Sequence, residues 1–280
     1  MNRESAIRVL GNVDVDEALD LVRRDPVVNL NLDHRIRQTQ LEPRWLGGRV
    51  WGRYQDGELT SLLHAASNVI PVGADDEACA EYSELLLREG VSFATIVGPR
   101  RQVTSLWQGL EDAMPRPRDL RWDQPHLEID GTPLVAPDPG VTVTRKSDVD
   151  TLYPACVAMY TEEVGVSPEA DASRSVYQLR VRQLVSRGWS FSRIEDDQVV
   201  FKAEVAASSP FAAQIQGVWV APERRGEGLA AAGMAAVVEH VRRDIAPTVS
   251  LYVNAHNTAA RRTYERVGFR QTETFSTLMF

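Results

Sequence analysis

Cysteine is nearly absent from this sequence: Cys79 and Cys156 are the two in 280 residues. They stand far apart, each within a helical pattern, which excludes a disulfide framework and leaves two buried, reduced thiols as the expectation. The five histidines, His34, His64, His126, His240 and His256, share no ligand spacing, so no metal site is expected. No run approaches the roughly 20 apolar residues of a membrane span. The start, with Arg3, Glu4 and Arg8, lacks the apolar segment of a signal peptide, and a cytoplasmic protein is expected. A basic excess is missing as well. Against 39 Asp+Glu there are 31 Lys+Arg, a formal net charge of −8, which argues against a nucleic-acid binder and suits a cationic substrate. What remains, 43% apolar and 25% charged residues, is the composition of a globular domain or two.

Two phosphate-binding signatures are also lacking. There is no G-x-G-x-x-G dinucleotide fingerprint and no Gly-Lys-Ser/Thr of a P-loop. Instead an apolar strand, Gln214 to Val220, breaks at Pro222 and turns through Glu223-Arg224-Arg225-Gly226-Glu227-Gly228. A helix follows, with Leu229, Met234, Val237, Val238 and Val241 on one stripe. Glycines let a backbone approach an anion closely, and the unpaired N–H groups of a helix start face it with the positive end of the helix dipole. Pyrophosphate capture is the chemistry this arrangement suits, with Arg225 adding a fixed charge.

Upstream, the pattern predicts helices over Val13–Arg24 and around Leu30 to Ile36. A hairpin is expected from Gly48–Tyr54 and Leu59–Ala65 about Gln55-Asp56-Gly57-Glu58, then a short strand at Val69–Val72. A helix over Asp75–Glu89, a strand over Val91–Val97 and a helix over Arg101–Leu110 follow. Six prolines between Met114 and Gly140 predict a linker with a strand near His126–Ile129, and a boundary near Pro137. Beyond it the order recurs: a strand at Val141–Thr144, helices over Asp148–Thr161 and Ala172–Ser186, and a hairpin of Trp189–Ile194 with Val199–Ala207. Gly48 matches Gly188, Arg53 matches Arg193 and Asp56 matches Asp196, which reads as a duplicated domain. The division expected is 1–136 and 137–280.

Past the glycine turn comes a strand, Val249–Val253, and then Asn257, Ala260, Tyr264 and Gly268-Phe269. With Arg225-x-x-Gly228-x-Ala230, this ordered pair of motifs resembles the GNAT superfamily of acyl-coenzyme A-dependent N-acyltransferases. The resemblance covers about the last half of the chain. It implies a tandem GNAT protein of α/β (α+β) class, each half a mixed, mostly antiparallel sheet flanked by helices. The N-terminal half lacks the loop motif, carries Asp75, Asp76 and Glu77 where phosphates would lie, and has no counterpart of Tyr264; no coenzyme site is expected there.

By resemblance, Arg225, Gly226, Gly228, Leu229 and Ala230 hold the diphosphate of acetyl-CoA. Main-chain groups of Val218 and Val220 hold the acyl and pantetheine portions, and Asn257 reaches the pantetheine arm. Tyr264, two helical turns after Asn257, is the implied general acid, a phenol protonated at neutral pH. For the base, Glu204 is a candidate if it faces the cleft, opposite Ala203 and Val205, with the chain-terminal carboxylate as a further one. Glu162 and Glu163 are candidates for binding a cationic amine in a loop. Trp219 is read as core. The expected activity is N-acetyl transfer to a primary amine, on a small molecule or a protein, with no metal, nucleic-acid or membrane partner and no reading of oligomeric state. The alternatives are a non-catalytic acyl-CoA sensor or interaction module, and an aminoacyl-type transfer.

Overall fold

In the computed structural model, residues 5–170 and 173–280 are described. They form two compact units, neither one continuous in sequence. Residues 5–126 with Tyr252–Asn257 and Gln271–Phe280 make the first, and Leu127–Leu251 with Thr258–Arg270 make the second.

In the first unit β1 (Ser5–Val9) pairs antiparallel with β2 (Arg49–Gln55), which forms a hairpin with β3 (Glu58–Ala65). Between β1 and β2 the chain builds α1 (Val15–Val22), α2 (Leu30–Thr39) and the single turn α3 (Pro43–Leu46). β4 (Asn68–Val72) lies antiparallel to β3 and parallel to β5 (Thr95–Pro99). A parallel pair needs a crossover, which α4 (Asp76–Glu89) supplies; α5 (Arg100–Gln108) follows. Strand alternation then sorts the core. Val50 and Leu62 pack with Leu21 and Ile36 of α1 and α2, while their neighbours Trp51 and Leu63 pack with Tyr82, Leu86 and Leu106 of α4 and α5.

After β6 (Asp119–Ile129) the second unit repeats this order. Its elements are β7 (Thr142–Val143), α6 (Val149–Val164), α7 (Ser173–Ser186), the hairpin β8 (Ser190–Glu195) and β9 (Gln198–Ser208), β10 (Ala212–Val220), α8 (Leu229–Asp244), β11 (Thr248–Tyr252) and α9 (Thr258–Val267). The strands run β11-β10-β9-β8-β7, antiparallel except for β10 with β11. The last strand described, β12 (Arg270–Met279), pairs with β5 of the first unit and has β6 on its other side.

The repeated order extends to irregularities. Each hairpin turns through two residues of positive φ, Asp56 and Gly57 in one and Asp196 and Asp197 in the other, the geometry that matches strand twist. Each also carries a register shift at the same place, after Arg53 and after Arg193.

Several boundaries differ from expectation for local reasons. β1 has no strong alternation; four of its five residues are exposed, as an edge strand allows. The strand expected from Val91 begins at Thr95, because Gly90 (φ 60) ends α4 and the Val91 N–H turns back to Leu86 O at 3.2 Å. β6 starts at Asp119 and runs through Pro125, inside the expected linker. α6 continues to Val164, where Gly165 (φ 82) stops it, so Glu162 and Glu163 sit on a helix end instead of in a loop. Ala172, the expected start of α7, lies outside the described residues. Among the described residues no helix is long and apolar enough to cross a membrane.

His64 on β3 is 1% exposed, and among the described residues neither ring nitrogen has a hydrogen-bond partner. Burial, helped by the charge of Arg35, pushes its pKa down to about 4. As pH falls from the ordinary histidine value of about 6.5 toward 4, the unfolded chain therefore gains a proton that the folded chain refuses. Stability should fall across that window by up to about 3 kcal/mol from this residue alone. Chemical denaturation of wild type and His64→Leu at pH 7 and pH 4.5 checks it: the variant should lose about 2 kcal/mol less, and equal losses refute the assignment.

Candidate functional site

The glycine turn of the second unit is open on its outer side. Gly226 (φ 87) and Gly228 (φ 84) take conformations that favour glycine, and a Cβ built on either meets nothing within 4 Å. Among the described residues no backbone carbonyl accepts from the N–H groups of Gly226, Glu227 or Gly228, and no side chain caps the start of α8. A 16-residue helix thus presents its N-terminal amides and dipole to an open cradle, with Leu229 and Ala230 half-buried at its first turn. The turn is held from behind. Arg224 spans Glu195 at 2.7 Å and Glu227 at 2.9 Å, leaving the glycines to set the opening.

Arg225 is not idle. Its Nη2 meets Glu162 Oε2 at 2.7 Å, and its Nε donates to Val220 O at 3.1 Å. The other oxygen of Glu162 accepts from the Trp219 indole at 3.1 Å; Trp219, read as core, is half-buried, packs against the cluster of Leu152, Cys156 and Val199, and also holds a carboxylate. Glu162 and Glu163 end α6, where the helix dipole disfavours acids by a few tenths of a kcal/mol. Arg225 offsets that for Glu162. Glu163 is exposed, and its charge is felt at both Tyr264 and Lys202.

β10 parts from its parallel neighbour early. Pairing with β11 covers Ala212, Ala213 and Gln214 and stops there. On its other edge Gln216 faces Glu204 and Trp219 faces Lys202, which places one extra residue on β10 and Gly217 and Val218 in a bulge. Past Gln214, among the described residues, β10 pairs no further with β11, and Val218 and Val220 follow in that stretch.

Beneath the bulge lies an ion pair that sequence reasoning missed. Lys202 is fully buried; its Nζ donates to Glu204 Oε2 at 3.2 Å and to Gly217 O at 3.0 Å. Glu204 Oε1 accepts from Gln216 Nε2 at 2.8 Å, so both of its oxygens are engaged. Burial alone would lower the lysine pKa, but the Glu204 carboxylate carries it above the ordinary value. Cys156 lies alongside, its thiol pushed up to about 11 by burial and so inert at neutral pH. A signal was present: Lys146 and Lys202 are the only lysines in the chain, and Lys202 sits inside an apolar strand.

Tyr264 of α9 is 7% exposed and packs edge-on against Phe269 at 5.8 Å. Burial, then the charge of Glu163, holds its phenol well above the usual tyrosine value, so it stays protonated at any working pH. Asn257 falls in the segment counted with the first unit, its main-chain N–H bonded to Asn254 O at 2.9 Å. The chain-terminal residue Phe280 is also of the first unit, with its O accepting from Arg118 Nε at 3.2 Å. Among the described residues no group of three or more His, Cys, Asp or Glu could hold a metal.

Comparison with known proteins matches residues 183–269 to the acetyltransferase (GNAT) family model and residues 48–152 to a domain of unknown function (DUF4081). Among curated proteins, a mycothiol acetyltransferase of Kocuria rhizophila is 38% identical over 66 residues, 24% of this chain and 22% of that protein. One of Streptomyces griseus is 43% identical over 56 residues, 20% and 18% of the two chains. The chain thus matches about a fifth of the length of these relatives. Among solved structures, a GCN5-related N-acetyltransferase from Sphaerobacter thermophilus has a TM-score of 0.65 at 18% identity, covering 98% of this chain and 95% of that one. A tandem GNAT protein from the clavulanic acid biosynthesis pathway has a TM-score of 0.56 at 16% identity, covering 99% and 98%. These structures share the fold.

Glu162 competes with any anion for Arg225. An exposed ion pair is worth about 0.2–1 kcal/mol, so Glu162→Gln should tighten binding of inorganic pyrophosphate by a factor of about 1.4 to 5, and Arg225→Gln should weaken it. Titration calorimetry with pyrophosphate reads both, and a weaker affinity for Glu162→Gln would contradict the competition.

Proposed function

We propose that this chain, which carries a domain of the GNAT acetyltransferase family over residues 183–269, transfers an acetyl group from acetyl-coenzyme A to a primary amine by direct attack in a ternary complex. The observation that carries the reading is the conjunction in the second unit of an open glycine cradle at a long helix start with a neighbouring strand that leaves its parallel partner. One feature binds a diphosphate; the other offers main-chain groups to an extended arm.

The bound donor supplies an acyl group activated as a thioester. The amides of Gly226, Gly228, Leu229 and Ala230, with Arg225, hold the diphosphate, and Val218 and Val220 hold the arm by strand-like hydrogen bonds. Such holding makes the transfer effectively unimolecular, which supplies much of the rate. As the C–N bond forms, the C–S bond breaks, the departing thiolate takes the phenolic proton of Tyr264, and the proton shed by the amine passes to water, from which the phenol is restored. Glu163 receives the cationic amine, being exposed and within electrostatic reach of Tyr264. For Glu204 to take the amine's proton, it would have to give up a bond from Lys202 or Gln216.

The first unit takes no coenzyme on this reading. Asp75 caps α4 by accepting from Ala78 N at 2.8 Å, with Asp76 and Glu77 in the first turn, so that helix start is already supplied with negative charge. We take the halves as duplicates meeting near Pro137, the second carrying the chemistry. The mycothiol acetyltransferase likeness lends support to acetyl transfer while covering too little of those proteins to carry over their acceptor.

Calorimetry of acetyl-coenzyme A against wild type and Gly228→Trp tests the reading: micromolar binding lost in the variant supports it, and equal, negligible heats remove its basis. For Tyr264→Phe, turnover with an accepted amine should fall about 10²- to 10⁴-fold while coenzyme affinity stays within about twofold. Unchanged turnover excludes Tyr264 as the acid.

A further inference from the structure

The buried pair under the bulge has no part in the binding scheme above. An ammonium inside a protein costs several kcal/mol unless it is well paired, and an apolar side chain would fill this strand position more simply. Lys202 is nonetheless kept there, 0% exposed, with Nζ directed at the Gly217 carbonyl and fixed by Glu204, which Gln216 fixes in turn. The glycine permits the approach: at φ +59, a Cβ on residue 217 would stand 3.0 Å from Lys202 Nζ and 3.0 Å from Met159 Cε.

The peptide between Gly217 and Val218 is trans, as are all those described, so its C=O and N–H point in opposite directions. A cation on the carbonyl fixes that plane and draws electrons from the nitrogen, strengthening the N–H as a donor. We propose that Lys202 is a positioning residue for the acyl carbonyl, acting through the Gly217–Val218 peptide to orient and polarise the Val218 N–H toward the thioester oxygen. The inference rests on the acyl-coenzyme reading and deepens it. Negative charge grows on that oxygen as the amine attacks, and removing one such donor from an enzyme typically costs about 10²–10³ in rate. Glu204 then serves chiefly as the counter-charge that keeps the ammonium in place.

The test uses acetyl-coenzyme A carrying ¹³C at the thioester carbonyl and the double variant Lys202→Met/Glu204→Gln. That variant replaces the pair with neutral groups of similar length, so folding does not hinge on an unpaired buried charge. On wild type the carbonyl infrared band should move to lower wavenumber than in water; in the variant at least half of that displacement should be lost. Coenzyme A without its acyl group should bind both proteins within about twofold, since the diphosphate cradle is untouched. Equal band positions in the two proteins overturn the inference alone. So does a loss of coenzyme A affinity as large as that of acetyl-coenzyme A, because the pair then shapes the whole cleft. Absence of acetyl-coenzyme A binding to wild type overturns the underlying reading and this inference with it.

Discussion

The second unit depends on keeping one positive charge out of water. Lys202 lies in a strand whose neighbours Phe201 and Ala203 are fully buried, and its ammonium is satisfied by a carboxylate and one main-chain oxygen. That oxygen belongs to the residue where β10 departs from regular pairing. A bulge exposes main-chain groups that would otherwise be consumed by the ladder, and it persists only if something rewards the broken register. Here the reward is electrostatic. Loss of either charge would strand the other in a low-dielectric interior, which is why the pair and the bulge are best regarded as one structural device.

The glycine turn complements that device. Arg224 and its two carboxylates hold the turn from behind, so the amides ahead of α8 need no internal partner. Glu162 ties the end of α6 to the same region through Arg225 and Trp219. The helix bearing the acidic residues at its end is thereby anchored to the loop that would take the anion, and neither the acids nor the loop is placed by its own element alone.

What was legible in the chain follows from which forces are local. Hairpin turns are chosen by two residues, and Asp56-Gly57 and Asp196-Asp197 announce them; the strand–turn–helix about Gly226 and Gly228 is equally local. The motif order that resembles a GNAT protein placed Arg225 and Tyr264 on the elements where they are found. Elements defined by distant partners were less legible. β1 is mostly exposed and is a strand because β2 pairs with it, and β6 passes through Pro125 where composition reads as linker. Glu162 and Glu163 read as a loop because acids are poor helix ends, a preference that the Arg225 contact outweighs. Lys202 was less legible for a different reason: its rarity and its place in an apolar strand mark it out, but a bulge leaves no period in the pattern to say what the charge meets.

The end of the chain returns to the beginning. β12 pairs with β5, and Phe280 packs its ring against Phe93 and Trp107, so β5 is closed by a strand far along the chain. Until β12 has been made, β5 has one side unpaired and the apolar surface near Trp107 is uncovered. The first unit thus cannot close before β12 is available, although most of its residues precede the second. Exposed strand edges invite pairing with other nascent chains. Loss of β12 would accordingly be felt in the first unit, far back along the chain.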